Sequence, residues 1–271
     1  MSRDVIYILN ADTDRQEYQG ANLANLIHGE LFESPWMETL GVATYNVHQG
    51  RFPDPHRMDK PAGIIITGSF VNVRSGQPDS APWVTELARY LEGFMHDPIP
   101  ILGVCFGHQI LSMIYGHSVE PIGNDADGNP IYEVGYPEIT LTEDGRSYAL
   151  FRGLPRTFRA NESHRNRVVQ NTGGQVLAYN ASGIQAILLD GGFRIGIQFH
   201  PEIYLRTAQE SLERKIRGLA PSAARRRLEE AHEVMPSEYA QSNNNAAARI
   251  YHNWINHYVL TDEATAHRGQ S

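Results

Sequence analysis

Short apolar runs bounded by turn-forming residues recur along the first hundred positions: Val5–Leu9, Val42–Val47, Gly63–Thr67 and Ile99–Val104. Each is too short for a core helix, so each predicts a buried strand. Between them the apolar spacing changes to three and four. This predicts a helix around Asn22–Phe32 and another around Trp83–His96, the latter opened by Pro82, where a missing N–H costs little. Strands that alternate with helices need crossover connections, and these make a mostly parallel sheet in an α/β domain.

Beyond Val104 the pattern changes. Phe106, Ile110, Met113 and Ile114 share one face of a helix over Phe106–Tyr115. Short strands are predicted next at Tyr132–Tyr136, Glu138–Thr142, Val176–Tyr179, Ile184–Leu188 and Phe193–Gln198, which read as a small antiparallel addition. Helical spacing then returns: Leu205, Ala208, Leu212, Ile216 and Leu219 form one stripe, ended near Gly218 and Pro221. Ser222 is placed to cap a second helix through Glu233, and Ile250, Trp254 and Tyr258 mark a last one. The expected organisation is a catalytic-type domain over 1–203, a helical extension packed on it over 204–260, and a frayed tail over 261–271. In the run Arg225-Arg226-Arg227, the acids Glu229, Glu230 and Glu233 follow at helical spacing and predict an ion-paired face.

Two motifs carry the chemistry. Gly103-Val104-Cys105-Phe106-Gly107-His108-Gln109 sets the only cysteine of the chain between a strand and a helix. Gly196-Ile197-Gln198-Phe199-His200-Pro201-Glu202 follows another apolar strand with a histidine and, two residues on, a carboxylate. A cysteine flanked by Val104 and Phe106 is in most proteins a small buried hydrophobe. The paired glycines argue otherwise: they suit a sharp strand-to-helix turn, which presents the thiol at a helix N-terminus where thiolate is favoured. Cys105 as nucleophile, His200 as base and Glu202 as orienting acid make a complete set for hydrolysis of an amide.

These two motifs, over about residues 5–203, resemble the class I (triad-type) glutamine amidotransferases, and more closely their GMP-synthase-like, stand-alone members. The resemblance implies a flavodoxin-like domain with helices on both faces of the sheet and a Cys105–His200–Glu202 triad. It also implies hydrolysis of a glutamine γ-amide through a glutamyl thioester. Backbone donors for the oxyanion are expected from Phe106 and Gly68. Where the family usually has Gly-Gly-Pro this chain has Gly68-Ser69-Phe70, a variant similar to the γ-glutamyl peptidase-like branch. By the same resemblance Gln109 helps hold the amino-acid end of the substrate, the backbone of Ser163-His164-Arg165 lines the pocket, and Glu133 lies near the substrate ammonium. The plainer alternatives are a solvent-facing helix residue for Gln109 and a solvated surface carboxylate for Glu133.

Composition narrows the class further. A formal charge of −8 over 271 residues argues against a nucleic-acid footprint or an anionic-membrane binder. A lone cysteine suits a reducing compartment, no run approaches the ~20 apolar residues of a membrane span, and the expected address is the cytoplasm. No metal and no cofactor are expected. The twelve histidines include no His-Glu-x-x-His pair. Asp125-Ala126-Asp127-Gly128-Asn129 has its glycine too early for a calcium loop and reads as a polar turn. Neither a phosphate-binding Gly-x-x-x-x-Gly-Lys loop nor a Ser-Gly-Gly-x-Asp-Ser loop is present. Three readings stay open: a glutaminase passing ammonia to a separate synthetase, a free-standing γ-glutamyl hydrolase or peptidase, and a regulatory binding module that kept the fold.

Overall fold

The computed structural model describes residues 4–13, 40–54, 60–76, 81–241 and 245–260. The helix expected around Asn22–Phe32 and the tail over 261–271 lie outside them. Four apolar runs pair in parallel as β1 (Asp4–Asn10), β2 (Leu40–Asn46), β3 (Gly63–Ile66) and β4 (Ile101–Val104). Successive side chains alternate between two cores: Ile6, Ile8 and Ile65 point to one, Tyr7, Leu9, Ile64 and Ile66 to the other. Burial on both faces explains why β1, β3 and β4 show no polar alternation, whereas β2, at the sheet edge, is only half-buried and carries Thr44 and Asn46.

Helix α1 (Pro82–Glu92) and helix α2 (Phe106–Ile114) pack on the second core through Val84, Leu87, Leu91, Phe106, Ile110 and Leu111. Helix α1 ends earlier than its apolar spacing suggests. The carbonyls of Phe94 and Asp97, just beyond it, are taken by the buried guanidinium of Arg194, so the chain there turns instead of extending the helix.

The next segments are β5 (Ser118–Pro121), β6 (Glu133–Gly135), β7 (Glu138–Leu141), the short helix α3 (Glu143–Ser147), β8 (Thr157–Arg159), β9 (Glu162–His164) and β10 (Asn166–Val169). After them come β11 (Gln175–Asn180), β12 (Gly183–Leu188) and β13 (Arg194–Ile197). The main sheet has the order β2-β1-β3-β4-β13-β12-β11-β7-β8, and β5–β10 and β6–β9 form two small antiparallel ribbons. One expectation needs correcting. Phe193–Gln198 is not simply part of an antiparallel addition, because β13 lies parallel beside β4, with Ile197 opposite Val104. That register sets His200 beside the end of β4.

The C-terminal segment divides in two. Helix α4 (Leu205–Arg217) and helix α5 (Ala223–Gln241) form a third apolar cluster with Tyr136, and every member of the Leu205–Leu219 stripe faces it. Ser222 Oγ accepts from Arg225 N–H at 3.1 Å, as a cap should, and the helix runs beyond Glu233 through Pro236. Arg225 pairs with Glu229 at 2.8 Å, while Arg227 reaches Asp125 in the polar turn at 2.9 Å. Helix α6 (Asn245–Trp254) belongs instead to the main core: Ile250, Tyr251 and Trp254 are buried against the face of Ile6, Ile8 and Ile65. No helix among the described residues is long and apolar enough to cross a membrane.

Candidate active site

Cys105 sits between β4 and α2 with φ 50° and ψ −100°, the only non-glycine residue at positive φ among those described. An L-residue there is strained, and such strain persists only where its surroundings hold it. The flanking glycines supply the close packing. A Cβ on Gly103 would lie 2.5 Å from the Gly107 carbonyl oxygen, and one on Gly107 would lie 2.8 Å from Ile66 Cβ in β3. Helix α2 is thus pressed onto β3 and β4, and its first turn is the backbone that surrounds the thiol. His108, also in the motif, is buried against Gly196 and is held neutral by burial, which lowers it to about 3; it has no acid–base part.

His200 is delivered by β13 and fixed by its own backbone, whose N–H donates to the Asn161 carbonyl at 2.8 Å. Its Nδ1 lies 2.7 Å from Glu202 Oε1, so the other ring nitrogen is left for Cys105, with which it is in hydrogen-bonding reach. All three side chains are almost completely buried. Burial alone would raise the Cys105 thiol, but the adjoining His200 charge and hydrogen bond outweigh it, and the thiol lies below its ordinary value. Burial likewise opposes the imidazolium, yet Glu202 and Cys105 together hold His200 well above its ordinary value. Each group thus shifts the other toward its charged form, thiolate for Cys105 and imidazolium for His200.

Glu202 has a second partner that sequence reasoning missed. Tyr251, from α6, donates its hydroxyl to Glu202 Oε2 at 3.0 Å, and both residues are buried. The only signal in the sequence was a tyrosine on the buried face of the last helix.

The thiol opens into a cavity of about 300 Å³. Of the anticipated substrate contacts, Gln109, Ser163, His164 and Arg165 line it, as does Phe106, whose N–H heads α2. Gln109 is buried, not solvent-facing, and its Nε2 donates to the Asn166 carbonyl at 3.3 Å and to Gln198 Oε1 at 3.1 Å. Gly68 follows β3 at the same sheet end as Cys105, and the cavity wall begins at the next residue, Ser69. The far wall comes from α4, the turn after it and α5 through Arg214, Lys215, Gly218, Leu219 and Leu228, none of which the motifs had flagged.

Glu133 is placed elsewhere. It is outside the lining of this cavity, and its side chain is only 9% exposed, so it is not a solvated surface carboxylate either. Asn180, Gln185 and His164 all donate to it. His164 Nε2 lies 2.9 Å from Glu133 and 3.1 Å from Glu162, while its Nδ1 lies 2.8 Å from the Asn166 carbonyl. Both ring nitrogens face acceptors, so the ring is an imidazolium. Despite burial the two carboxylates raise His164 to about 10, while burial pushes Glu162 up to about 7. Glu133, Glu162 and His164 have the atom types and spacing of a cation site, but the imidazolium already occupies the position between the carboxylates.

Residues 37–217 match the family model described as glutamine amidotransferase class-I. Over 175 residues, 64% of this chain, the sequence is 29% identical to gamma-glutamyl peptidase 5 of Arabidopsis thaliana. Over 133 residues, 48% of this chain, it is 33% identical to a glutamine-hydrolyzing GMP synthase subunit from Ignicoccus hospitalis. The matched stretches span 66% and 65% of those relatives, just under two thirds of each. Among solved structures, a glutamine amidotransferase from Thermotoga maritima superposes with a TM-score of 0.68, covering 96% of this chain and all of that one. A glutamine amidotransferase from Methylobacillus flagellatus gives 0.66, covering 94% and 95%. At 15% and 17% identity these two establish the shared fold.

Proposed function

The chain belongs to the class-I glutamine amidotransferase family, and from that premise we propose that it hydrolyses the γ-amide of glutamine or of a related γ-glutamyl compound at Cys105. The observation that carries this reading is His200 held between Cys105 and Glu202 at the mouth of a strained strand-to-helix turn. The thiolate attacks the γ-carbonyl carbon, and the oxyanion that forms is met by the backbone N–H groups of Phe106 and Gly68. The His200 imidazolium gives its proton to the departing nitrogen, the C–N bond breaks, and a glutamyl thioester remains on Cys105. Water then loses a proton to His200 and attacks the thioester; the C–S bond breaks, and glutamate leaves. Glu202, steadied by Tyr251, keeps the ring in register for both proton transfers.

The test is glutamate and ammonia release from glutamine and from γ-glutamyl amides, with Cys105→Ser as control. Turnover falling by at least about 10³-fold in that variant is expected; unchanged turnover refutes the assignment. His200→Ala should behave alike.

The ammonia is taken to pass to a separate synthetase, a reading supported by the similarity to one GMP synthase component. A second reading, a free-standing γ-glutamyl hydrolase, is supported by the similarity to gamma-glutamyl peptidase 5. Turnover without any partner favours the second; covalent trapping of Cys105 by a glutamine-like electrophile without turnover favours the first. The buried relay argues against a purely regulatory module. We take residues 1–203 and the helices of 204–260 as one catalytic unit, and the single cysteine supports a reducing, cytoplasmic setting.

A further inference from the structure

The paired strands β6 and β9 bring three ligand-type side chains to one face of a ribbon. Glu133 stands opposite His164, and Glu162 lies two positions before His164 on the same face of β9. Their ligand atoms all lie within 4.8 Å of one another, with His164 Nε2 2.9 Å from Glu133 and 3.1 Å from Glu162. The side chains of His164 and Glu162 are 3% and 0% exposed.

One proton cannot satisfy this arrangement. The Asn166 carbonyl can only accept, so His164 Nδ1 donates to it at 2.8 Å, and Nε2 is the atom aimed at the two carboxylates. Nε2 offers a single N–H, and its hydrogen bond goes to Glu133. Neither oxygen of the buried Glu162 has a hydrogen-bond partner among the described residues. A buried carboxylate left in that condition is costly, and burial holds Glu162 up at about 7. A divalent ion in the proton's position serves all three groups at once: it takes the Nε2 lone pair, and its two charges match two carboxylates.

The surroundings suit such an ion. A metal-binding imidazole is commonly oriented by a carbonyl or carboxylate on its other ring nitrogen, as the Asn166 carbonyl orients His164. Asn180 and Gln185 donate to Glu133 and fix it. Ligand atoms at zinc distances from a tetrahedral ion stand about 3.3 Å apart, a little wider than the present 2.9 and 3.1 Å. Entry is from a second cavity of about 270 Å³, which Glu133 lines together with Ser182 and Arg227.

We propose that Glu133, Glu162 and His164 bind one divalent transition ion of the zinc type, in exchange for the proton on His164 Nε2. The proton leaves to solvent as the ion enters, and water from the second cavity completes the coordination. The imidazole ligand discriminates against Mg²⁺ and Ca²⁺, which take oxygen donors. The ion ties β6 to β9. Ser163, between the two ligands of β9, accepts from Lys215 at 2.6 Å, and His164 lines the Cys105 cavity, so the ion braces a wall of that cavity. The site stands whether or not Cys105 hydrolyses an amide.

The test uses the full chain carrying Cys105→Ser, which removes the one thiolate able to compete for zinc, stripped with a chelator and titrated calorimetrically with ZnCl₂. One Zn²⁺ per chain is expected to bind. At about 100 times its Kd, Zn²⁺ should raise the thermal midpoint by about 5 °C, and Mg²⁺ should not move it. Glu162→Gln and His164→Gln should each weaken binding by at least about 10- to 100-fold, since loss of a residue that merely orients a ligand already costs that much. X-ray absorption on the unaltered chain with one equivalent of Zn²⁺ should show one imidazole, oxygen donors and no sulfur, and this decides the matter if a variant fails to fold. The proposal is overturned by absence of stoichiometric binding, by affinity that survives both substitutions, or by an equal midpoint shift with Mg²⁺. A sulfur ligand or a second imidazole in the spectrum overturns it as well.

Discussion

The floor of the cavity and its far wall obey different physics. The floor is backbone: β4 ends, Cys105 takes a conformation few residues tolerate, and α2 starts so close to β3 that a single Cβ at Gly107 has no room. The wall is side chains on amphipathic helices: α4 buries one stripe against Tyr136 and Leu228 and turns Lys215 toward the cavity. One region admits almost no extra atom. The other accepts new side chains as long as its apolar stripe is kept. On the proposed function, substitutions on the floor act on the chemistry and those on the wall act on what the cavity accepts.

The sharpest way to break this contrast is a glycine in each region. Gly107→Val should cost more than about 3 kcal/mol and leave little folded protein, because the backbone of β3 cannot retreat. Gly218→Ala, on the wall, places its Cβ 3.6 Å from the nearest carbonyl at φ −79° and should stabilise by up to about 1 kcal/mol. Urea denaturation reads both, and equal destabilisation would dissolve the distinction.

A smaller effect tests whether the floor depends on the C-terminal helices. Glu202→Gln should lower kcat by about 10²- to 10⁴-fold with little change in KM, as loss of an orienting acid does. Tyr251→Phe removes only the bond to Oε2 and should cost about tenfold in kcat, again sparing KM. If Tyr251→Phe instead shifts the urea midpoint and leaves kcat alone, α6 supports the fold and not the relay.

The mildest expected effect concerns the cluster between floor and wall. Glu162 rises from 4.5 unfolded to about 7 folded, and His164 from 6.5 to about 10. The folded state therefore holds more protons. The stability this contributes is complete below the unfolded values and is lost as pH climbs through 7 for Glu162 and through 10 for His164. Glu162→Gln should flatten the decline between about pH 5 and 8 in denaturation midpoints; an identical slope in both proteins would show that Glu162 does not hold the extra proton.

Much of the floor was legible in the chain. Val5–Leu9, Gly63–Thr67 and Ile99–Val104 announced strands because the covered interior of the sheet demands mostly apolar residues, and Val42–Val47 read the same way although its strand lies at the half-buried edge. The Gly-x-Cys-x-Gly frame announced the elbow because close packing there excludes a Cβ. The polar strands β9 and β10 were not legible: Glu162-Ser163-His164 and Asn166-Arg167 have no apolar alternation, and their pairing is set by distant partners in β6 and β5. The surroundings of Glu133 were not legible for a related reason. Sequence places it next to Val134 and Gly135, but its destination depends on Asn180, Gln185 and His164, which only folding brings near.

By itself, then, the sequence determined the kinds of elements, the turn that presents Cys105 and the proposal of His200 and Glu202 as its helpers, because those follow from local sterics and from side-chain chemistry at fixed spacing. Only the tertiary structure decided that β13 lies parallel to β4, that Tyr251 steadies Glu202, and that Lys215 faces the cavity with no carboxylate partner among the described residues. These are contacts between residues far apart in the chain, and which of them form is settled by how apolar faces pack, a property of the whole and not of any segment.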